Sequence, residues 1–312
     1  MTPRKTVTVI DILVAGEINP DLILTGDVEP VFGQVEKLVD SATLTIGSSA
    51  AIFACGAARL GLKVAFIGVC GQDTFGQFML DEMRKRRVDV RHVSTRLDGQ
   101  TGLSVILNRH ADRAILTLPG LIGSLTADQI TDELLRQSRH LHVASYFLQT
   151  GLQPDLPALF QRARALGLTT SLDPNYDPSG HWEGLGEVLP HTSIFLPNRD
   201  EALAITRTKD VEAAARQLAS MADLVVIKLG AEGALAATSN RMLRADSIPV
   251  SIVDSIGAGD SFDAGFLFGH LEHRPIEASL RLACVCGALS MRAAGGTAGQ
   301  PMLDEALQHV PG

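Results

Sequence analysis

The sequence predicts an α/β fold in which a mainly parallel central sheet is covered by helices on both faces. Three observations lead there. Strand-like and helix-like stretches alternate along most of the 312 residues, and that alternation builds a parallel sheet with crossover helices. Two segments, approximately 17–46 and 101–118, break the rhythm and read as a small β element projecting from the main body. No short-period repeat, low-complexity tract or linker divides the chain, so one domain over residues 1–312 is expected, although length alone also allows two smaller ones.

TVTVIDILVAG is β-branched and bounded by Gly16, a buried first strand. The first interruption follows, with INPDLILTGDVEP and VEKLVDSATLTIG. SSAAIFACGAARLG is a helix, with serines to cap it and Gly61 to end it. LKVAFIGVCG is a strand. DTFGQFMLDEMRKRR is a helix with acid first and base last, as the helix dipole prefers. Its RKRR end has the composition of a nucleic-acid patch but reads better as a solvated helix end. TGLSVILNRHADRAILTL gives two alternating strands around a polar NRHADR turn. The rhythm then resumes: HLHVASYF (strand), PDLPALFQRARALG (helix), LTTSLDPN (strand and turn), TSIFLPN (strand), RDEALAI and VEAAARQLAS (helices), DLVVIKLG (strand). DSIGAGDSF opens an apolar helix, and IEASLRLACVCGALSMRAA is a further one.

Composition bounds the function. A net charge of −8 weighs against a nucleic-acid partner, which favours a basic face. It leaves an anionic substrate open, because backbone dipoles bind phosphate on an acidic protein. Cys55, Cys70, Cys284 and Cys286 form no C-x-x-C and read as buried reduced thiols. The N-terminal apolar stretch is broken by Asp11, and no segment is apolar for long enough to span a bilayer; a soluble, cytoplasmic protein without membrane partners is expected. His140/His142 alternate along a strand and His270/His273 lie near a helix end. Neither pair has a third ligand nearby, so core or solvated histidine is the reading.

The chemistry concentrates at residues 254–262. A glycine turn feeding a helix aims several N–H groups at one point, and the helix N-terminus adds positive charge. Gly257, Ala258 and Gly259 therefore form a candidate anion hole, with Asp260 beside it. A carboxylate there suits the removal of a proton from a hydroxyl that attacks a bound phosphoryl group. On this stretch alone, an aspartate that merely caps the helix stands level with that reading.

DSIGAGDSF resembles the second signature of the ribokinase family of sugar kinases (PfkB-type carbohydrate kinases), D-T-x-G-A-G-D-x-F, with Ser255 at the usual threonine. GSSAAIFACGAARLG resembles the first signature and GVCGQDTFG the G-x-D-x-x-G turn after it. PNRDE resembles N-x-x-E, KLGAEGAL the nucleotide-binding L-G-x-x-G turn, and GEINPDLIL the N-terminal substrate strand. These motifs fall in family order over nearly the whole chain. The resemblance implies a ribokinase-like three-layer α/β/α domain with a small β-sheet lid. It implies transfer of the γ-phosphoryl group of ATP to a sugar-like hydroxyl, with Asp260 as general base. By the same resemblance Asn198, Lys228, Gly230 and Gly233 lie at the nucleotide, and Glu201 organises Mg²⁺, through water. Asp254 becomes a candidate for holding a monovalent cation such as K⁺, with the Ile256 carbonyl nearby. Asp21 accepts hydrogen bonds from sugar hydroxyls, and Gly47 and Ser48 stand against the sugar, Ser48 as a contact or a helix cap.

The pattern departs in two places. Ile52 stands where the first signature has asparagine, which removes an amide from the pocket side and puts ribose itself in doubt. In LDPNYD, Asp177 replaces an arginine, while Asn175 remains as a candidate for a place near the phosphate or as a turn residue. A nucleoside kinase on the same scaffold is the main alternative; it needs an apolar or aromatic wall, for which Phe32 and Phe53 are candidates. A non-catalytic nucleotide-binding protein is disfavoured by the intact GAGD and N-x-x-E. The alternating lid strands leave faces that need cover, so a homodimer joined through the lids is expected.

Overall fold

The computed structural model describes residues 10–109 and 112–310. The TVTV start of the predicted first strand lies outside them, as does the tip of the NRHADR turn. Strand β1 (Ile10–Ala15) shows how the sequence builds the body: Ile12 and Val14 enter one apolar core, Leu13 and Ala15 the other, so both faces of the strand are buried. Two excursion strands follow, β2 (Pro20–Thr25) and β3 (Ser41–Ile46). Then come β4 (Val64–Gly71), β5 (Asp89–Arg96), β6 (Leu103–Arg109), β7 (Asp112–Leu118), β8 (Ser138–Val143), β9 (Thr169–Leu172), β10 (Ile194–Phe195), β11 (Leu224–Lys228), β12 (Ala234–Ala237) and β13 (Met242–Ala245). The main sheet runs β13-β12-β11-β10-β9-β8-β1-β4-β5. Its pairings are parallel from β11 to β5, and β12–β13 adds an antiparallel edge.

The helices are α1 (Ser49–Arg59), α2 (Thr74–Lys85), α3 (Asp132–Leu135), α4 (Leu156–Ala165), α5 (Leu185–Val188), α6 (Arg199–Thr206), α7 (Val211–Ala219), α8 (Ala258–Leu271), α9 (Ile276–Ser290) and α10 (Leu303–His309). Helices α1, α2, α8, α9 and α10 cover one face of the sheet; α3 to α7 cover the other. The result is the three-layer arrangement expected from the alternation.

The interruptions form a second sheet, β3-β2-β6-β7, in which β2–β6 is parallel and the other pairs antiparallel. It is entered from the C-terminal ends of β1 and β5, so it becomes a lid over that edge of the body. The polar turn is tighter than NRHADR suggests: Asn108 pairs with Arg113 and Arg109 with Asp112, because strand pairing continues into the polar residues. Strand β5 and the β12–β13 hairpin were not legible as separate elements. The exposed end of β5 is polar, and Ala234–Ala237 is short and small-sided.

Candidate active site

The site lies where ligands bind in open α/β sheets, beyond the carboxyl ends of the parallel strands. Glu17 follows β1, Asp173 follows β9, Asn198 follows β10, and Lys228 ends β11. A backbone bridge pairs Asn198 with Lys228 and brings the N-x-x-E helix alongside the lysine.

Gly257 is the N-cap of α8, with φ of 73°. A Cβ there would meet Gly296 Cα at 2.8 Å and Ile52 Cγ2 at 2.9 Å, so glycine is required by conformation and by space. Asp260 is not the cap. It stands in the third helical position, and no side chain caps this helix. Ala258 N donates to the Ser255 carbonyl at 3.3 Å, so among the described residues the Gly259 and Asp260 N–H groups are the ones this turn leaves open. The Asp260 carboxyl accepts a hydrogen bond from the Ser49 side chain. Burial, then the charge of Asp173, raises its pKa well above the usual carboxylate range, against the pull of Lys228. A carboxylate that holds a proton more tightly is the better acceptor for one from a hydroxyl. Ile52 now has a physical role: it packs under the Gly257 turn where an amide would be expected.

Asp21, on β2, is buried and lines one cavity with Asp260. Burial is the largest influence on it and pushes its pKa up to about 7; Arg113 on β7 works the other way, and Asp254 and Glu17 add to the rise. Gly47 lies directly behind Asp21: a Cβ there would come within 2.2 Å of the Asp21 carboxylate oxygen. The geometry gives Ser48 its capping role. Its hydroxyl donates to the Glu17 carbonyl at 2.6 Å and accepts from Ala51 N at 3.0 Å.

Asn198 and Glu201 form a reciprocal capping box at the start of α6. Glu201 Oε2 accepts from Asn198 N at 2.8 Å, and Asn198 Oδ1 accepts from Glu201 N at 2.9 Å. Glu201 is only 6% exposed. Burial, then Asp173, pushes its pKa up to about 7. Lys228 Nζ donates to Asp173 Oδ2 at 2.8 Å and to Asp263 Oδ2 at 3.1 Å. Burial would strip the lysine of its proton, but Asp173, Asp263 and Glu201 outweigh it and raise its pKa. Burial also works to protonate Asp173, yet Lys228 and hydrogen bonds keep it lowered, while Asp263 is raised by burial. Lys228 is therefore a fixed positive charge at the centre of the site.

Two cavities meet at that charge. One, of about 520 Å³, is lined by Asp21, Asp173, Glu201 and Asp260 and roofed by Ser104, Ile106, Arg113 and Ile115 of the lid. The other, of about 500 Å³, has mostly apolar walls from Ile248, Val250, Phe262 and Met291. Lys228, Gly230 and Gly259 line both. Gly233 lines the apolar one, in the turn that joins β11 to β12. Asp254 stands apart from the junction. Its carboxylate accepts from Ile256 N at 3.0 Å and from Gly295 N at 2.9 Å, which ties the glycine turn to the 295 loop.

The aromatic candidates do not form a wall here. Phe53 is fully buried and stacks on His142, with ring centroids 3.8 Å apart; Phe32 is 96% exposed. Tyr176 lines the acidic cavity instead. It is 69% exposed and meets Trp182 edge-on. Asp177 explains its own departure: it accepts from Ser179 N at 2.8 Å and Trp182 N at 2.6 Å, closing the loop that carries these rings. Glu17, Asp173 and Asp263 were missed. Glu17 accepts from Ser145 Oγ at 2.9 Å, and Ser145 Oγ in turn accepts from Asn175 Nδ2 at 3.1 Å. The signal available for Glu17 and Asp173 was an acid just past a buried strand's C-terminal end.

A family model for the pfkB family carbohydrate kinase matches residues 9–303. The chain belongs to that family. It is a phosphotransferase with an alcohol acceptor. An "uncharacterized sugar kinase" of Archaeoglobus fulgidus is 31% identical, over 79% of this chain and 98% of that protein. A ribokinase of Haemophilus influenzae is 27% identical, over 98% of this chain and 99% of that one. Among solved structures, a fructokinase with bound ATP from Xylella fastidiosa superposes with a TM-score of 0.83 at 23% identity, covering 96% of this chain and 97% of that one. That likeness shows the ribokinase-like fold with its lid. Among the described residues no helix is long and apolar enough to cross a membrane.

Proposed function

We propose that this kinase transfers the γ-phosphoryl group of ATP to a hydroxyl of a sugar or sugar-like acceptor, with Asp260 as the base. The observation that carries the reading is the junction. An apolar cavity suited to a nucleotide base and an acidic cavity suited to a polyol share only Lys228, Gly230 and Gly259, with the α8 N-terminus between them. A triphosphate seated in the first points its last phosphoryl at these N–H groups, and Lys228 offsets its charge. Asp260, on the acceptor side, takes the hydroxyl proton. Asp21 holds neighbouring hydroxyls as a charged acceptor. The lid covers the acceptor and keeps water from the phosphoryl group.

Mg²⁺ fits the residues present. Among the described residues no three acidic or imidazole groups converge as a cage. A Mg²⁺ ion that keeps its waters and phosphate ligands needs none. Glu201, with Asn198, would hold it through water, and the ion supplies charge neutralisation on the phosphates. Asp254, with the Ile256 carbonyl, is the place for a monovalent cation; rates in K⁺ and Na⁺ buffers test it.

A coupled ADP-release screen over pentoses, hexoses, keto-sugar acids and nucleosides tests the function, with Asp260→Asn as the control. Tyr176 at the rim is the reason nucleosides belong in it. Turnover on no hydroxyl acceptor would overturn the reading. The lid presents Phe32, Leu38 and Leu116 to solvent. We propose that a second copy covers them; light scattering that shows only monomer across working concentrations rejects the dimer.

A further inference from the structure

The basic run at the end of α2 borders a cleft as well as solvent. Residues Lys85, Arg86 and Arg87 line a cleft of about 200 Å³ together with Arg59 at the end of α1, Cys55 and Gln300. Four cations face it, and no acid is among its lining residues. Lys85 and Arg86 share Glu82 from behind. Arg59 lies near Glu305, whose carboxylate Arg292 already holds. Arg87 makes no ion pair among the described residues, and its φ of 66° is a conformation that favours glycine. The Cys55 thiol, pushed up to about 12 by burial, stays neutral.

A second, independent observation comes from Gln300, which is 2% exposed. Its Nε2 donates to the Ile52 carbonyl at 2.9 Å and to Ser261 Oγ at 3.1 Å, but its Oε1 has no partner. A buried acceptor left unpaired is costly, and a ligand hydroxyl would satisfy it.

We propose that this cleft binds a phosphate monoester that carries hydroxyl groups: Arg59 and Arg87 take the phosphate, and Gln300 Oε1 accepts from a hydroxyl. Gln300 also reaches the reaction centre from behind. Ser261 adjoins Asp260, and Ile52 packs under the Gly257 turn. A ligand that loads Gln300 biases α8, so the site controls turnover. The binding claim stands without the proposed reaction; the control claim rests on the role given to Asp260.

The test is calorimetry on the full chain saturated with Mg²⁺ and a non-hydrolysable ATP analogue, so that the α8 anion hole is filled. Inorganic phosphate and ribose 5-phosphate are titrated at physiological salt, where weak surface attraction is screened. Wild type should bind ribose 5-phosphate, and Arg59→Ala/Arg87→Ala should lose about tenfold or more in affinity. Both arginines are exposed, so the variant should fold and keep its basal rate. Tighter binding of the sugar phosphate than of phosphate supports the monoester; equal binding overturns the role of Gln300 Oε1 and leaves an inorganic anion site. A rate change by the ligand that vanishes in the double variant supports control, and binding without a rate change overturns it. Binding that survives in the double variant, or capture of a single-stranded oligonucleotide and neither phosphate, overturns the proposal.

Discussion

On one side of Lys228 the walls are Ile248, Val250, Phe262 and Met291; on the other they are Asp21, Asp173, Glu201 and Asp260. The first cavity offers contact area and a glycine turn. The second offers carboxyl groups whose proton affinity the fold has altered. Asp21 and Glu201 are pushed to about 7 and Asp260 higher than usual, each with burial as the leading cause. Under the proposed function the contrast divides the tasks: the donor is held by shape and backbone, and the acceptor is selected and activated by charge. Acceptor kinetics should therefore respond strongly to pH and to single carboxylate changes, while donor kinetics should respond weakly to any one wall residue.

The sharpest break in this division is Asp260→Asn. The amide keeps the shape but cannot take a proton, so kcat should fall by roughly 10²–10⁴-fold while nucleotide affinity stays nearly constant. Steady-state rates beside a nucleotide titration check it; a kcat within about threefold of wild type rejects the base, since that is far below the range for general-base loss.

Asp21 comes next. Asp21→Ala should raise the acceptor KM about tenfold or more, from the loss of charge-assisted hydrogen bonds, with the ATP KM unchanged. Asp21→Asn should be milder. The pH sign follows from the raised pKa: the ionised carboxylate is the strong acceptor, so in wild type the acceptor KM climbs as pH falls below about 7. That limb should vanish from the pH profile of Asp21→Asn.

Glu201→Gln probes the metal from the wall of the acidic cavity. It should raise the Mg²⁺ concentration for half-maximal rate by about tenfold, as losses of outer ligands commonly do, and leave the acceptor KM alone. A Mg²⁺ titration that overlays wild type removes Glu201 from the metal. The smallest effect belongs to the apolar wall. Ile248→Ala removes part of one aliphatic contact and should raise the ATP KM about threefold, with kcat intact. An equal rise in acceptor KM would show that the cavities are not separate.

Much of this was legible in the chain, for local reasons. The GAGD turn, the N-x-x-E capping box and the serine cap of α1 each lie within a few consecutive residues, where backbone chemistry acts directly. The same reasoning left Ser48 between two roles and placed Phe32 and Phe53 at a wall they do not form. Side-chain direction in a folded pocket is not a local property. Glu17 lies in GEINPDLIL and Asp173 in LDPNYD, yet neither was singled out, because their meeting at the site appears only when the ends of β1, β9 and β11 are brought together.

By itself the sequence determined the α/β alternation, the lid insertions and the places of the GAGD and N-x-x-E motifs, because strand and helix periods and glycine turns are written in neighbouring residues. Tertiary structure decided what those groups became. Lys228 is clamped by Asp173 and Asp263 across 55 and 35 residues of chain. Asp21, Glu201 and Asp260 are desolvated by elements remote in sequence. Burial sets both the proton affinity of a carboxyl group and the meeting point of the two cavities, and burial is a property of the packed fold.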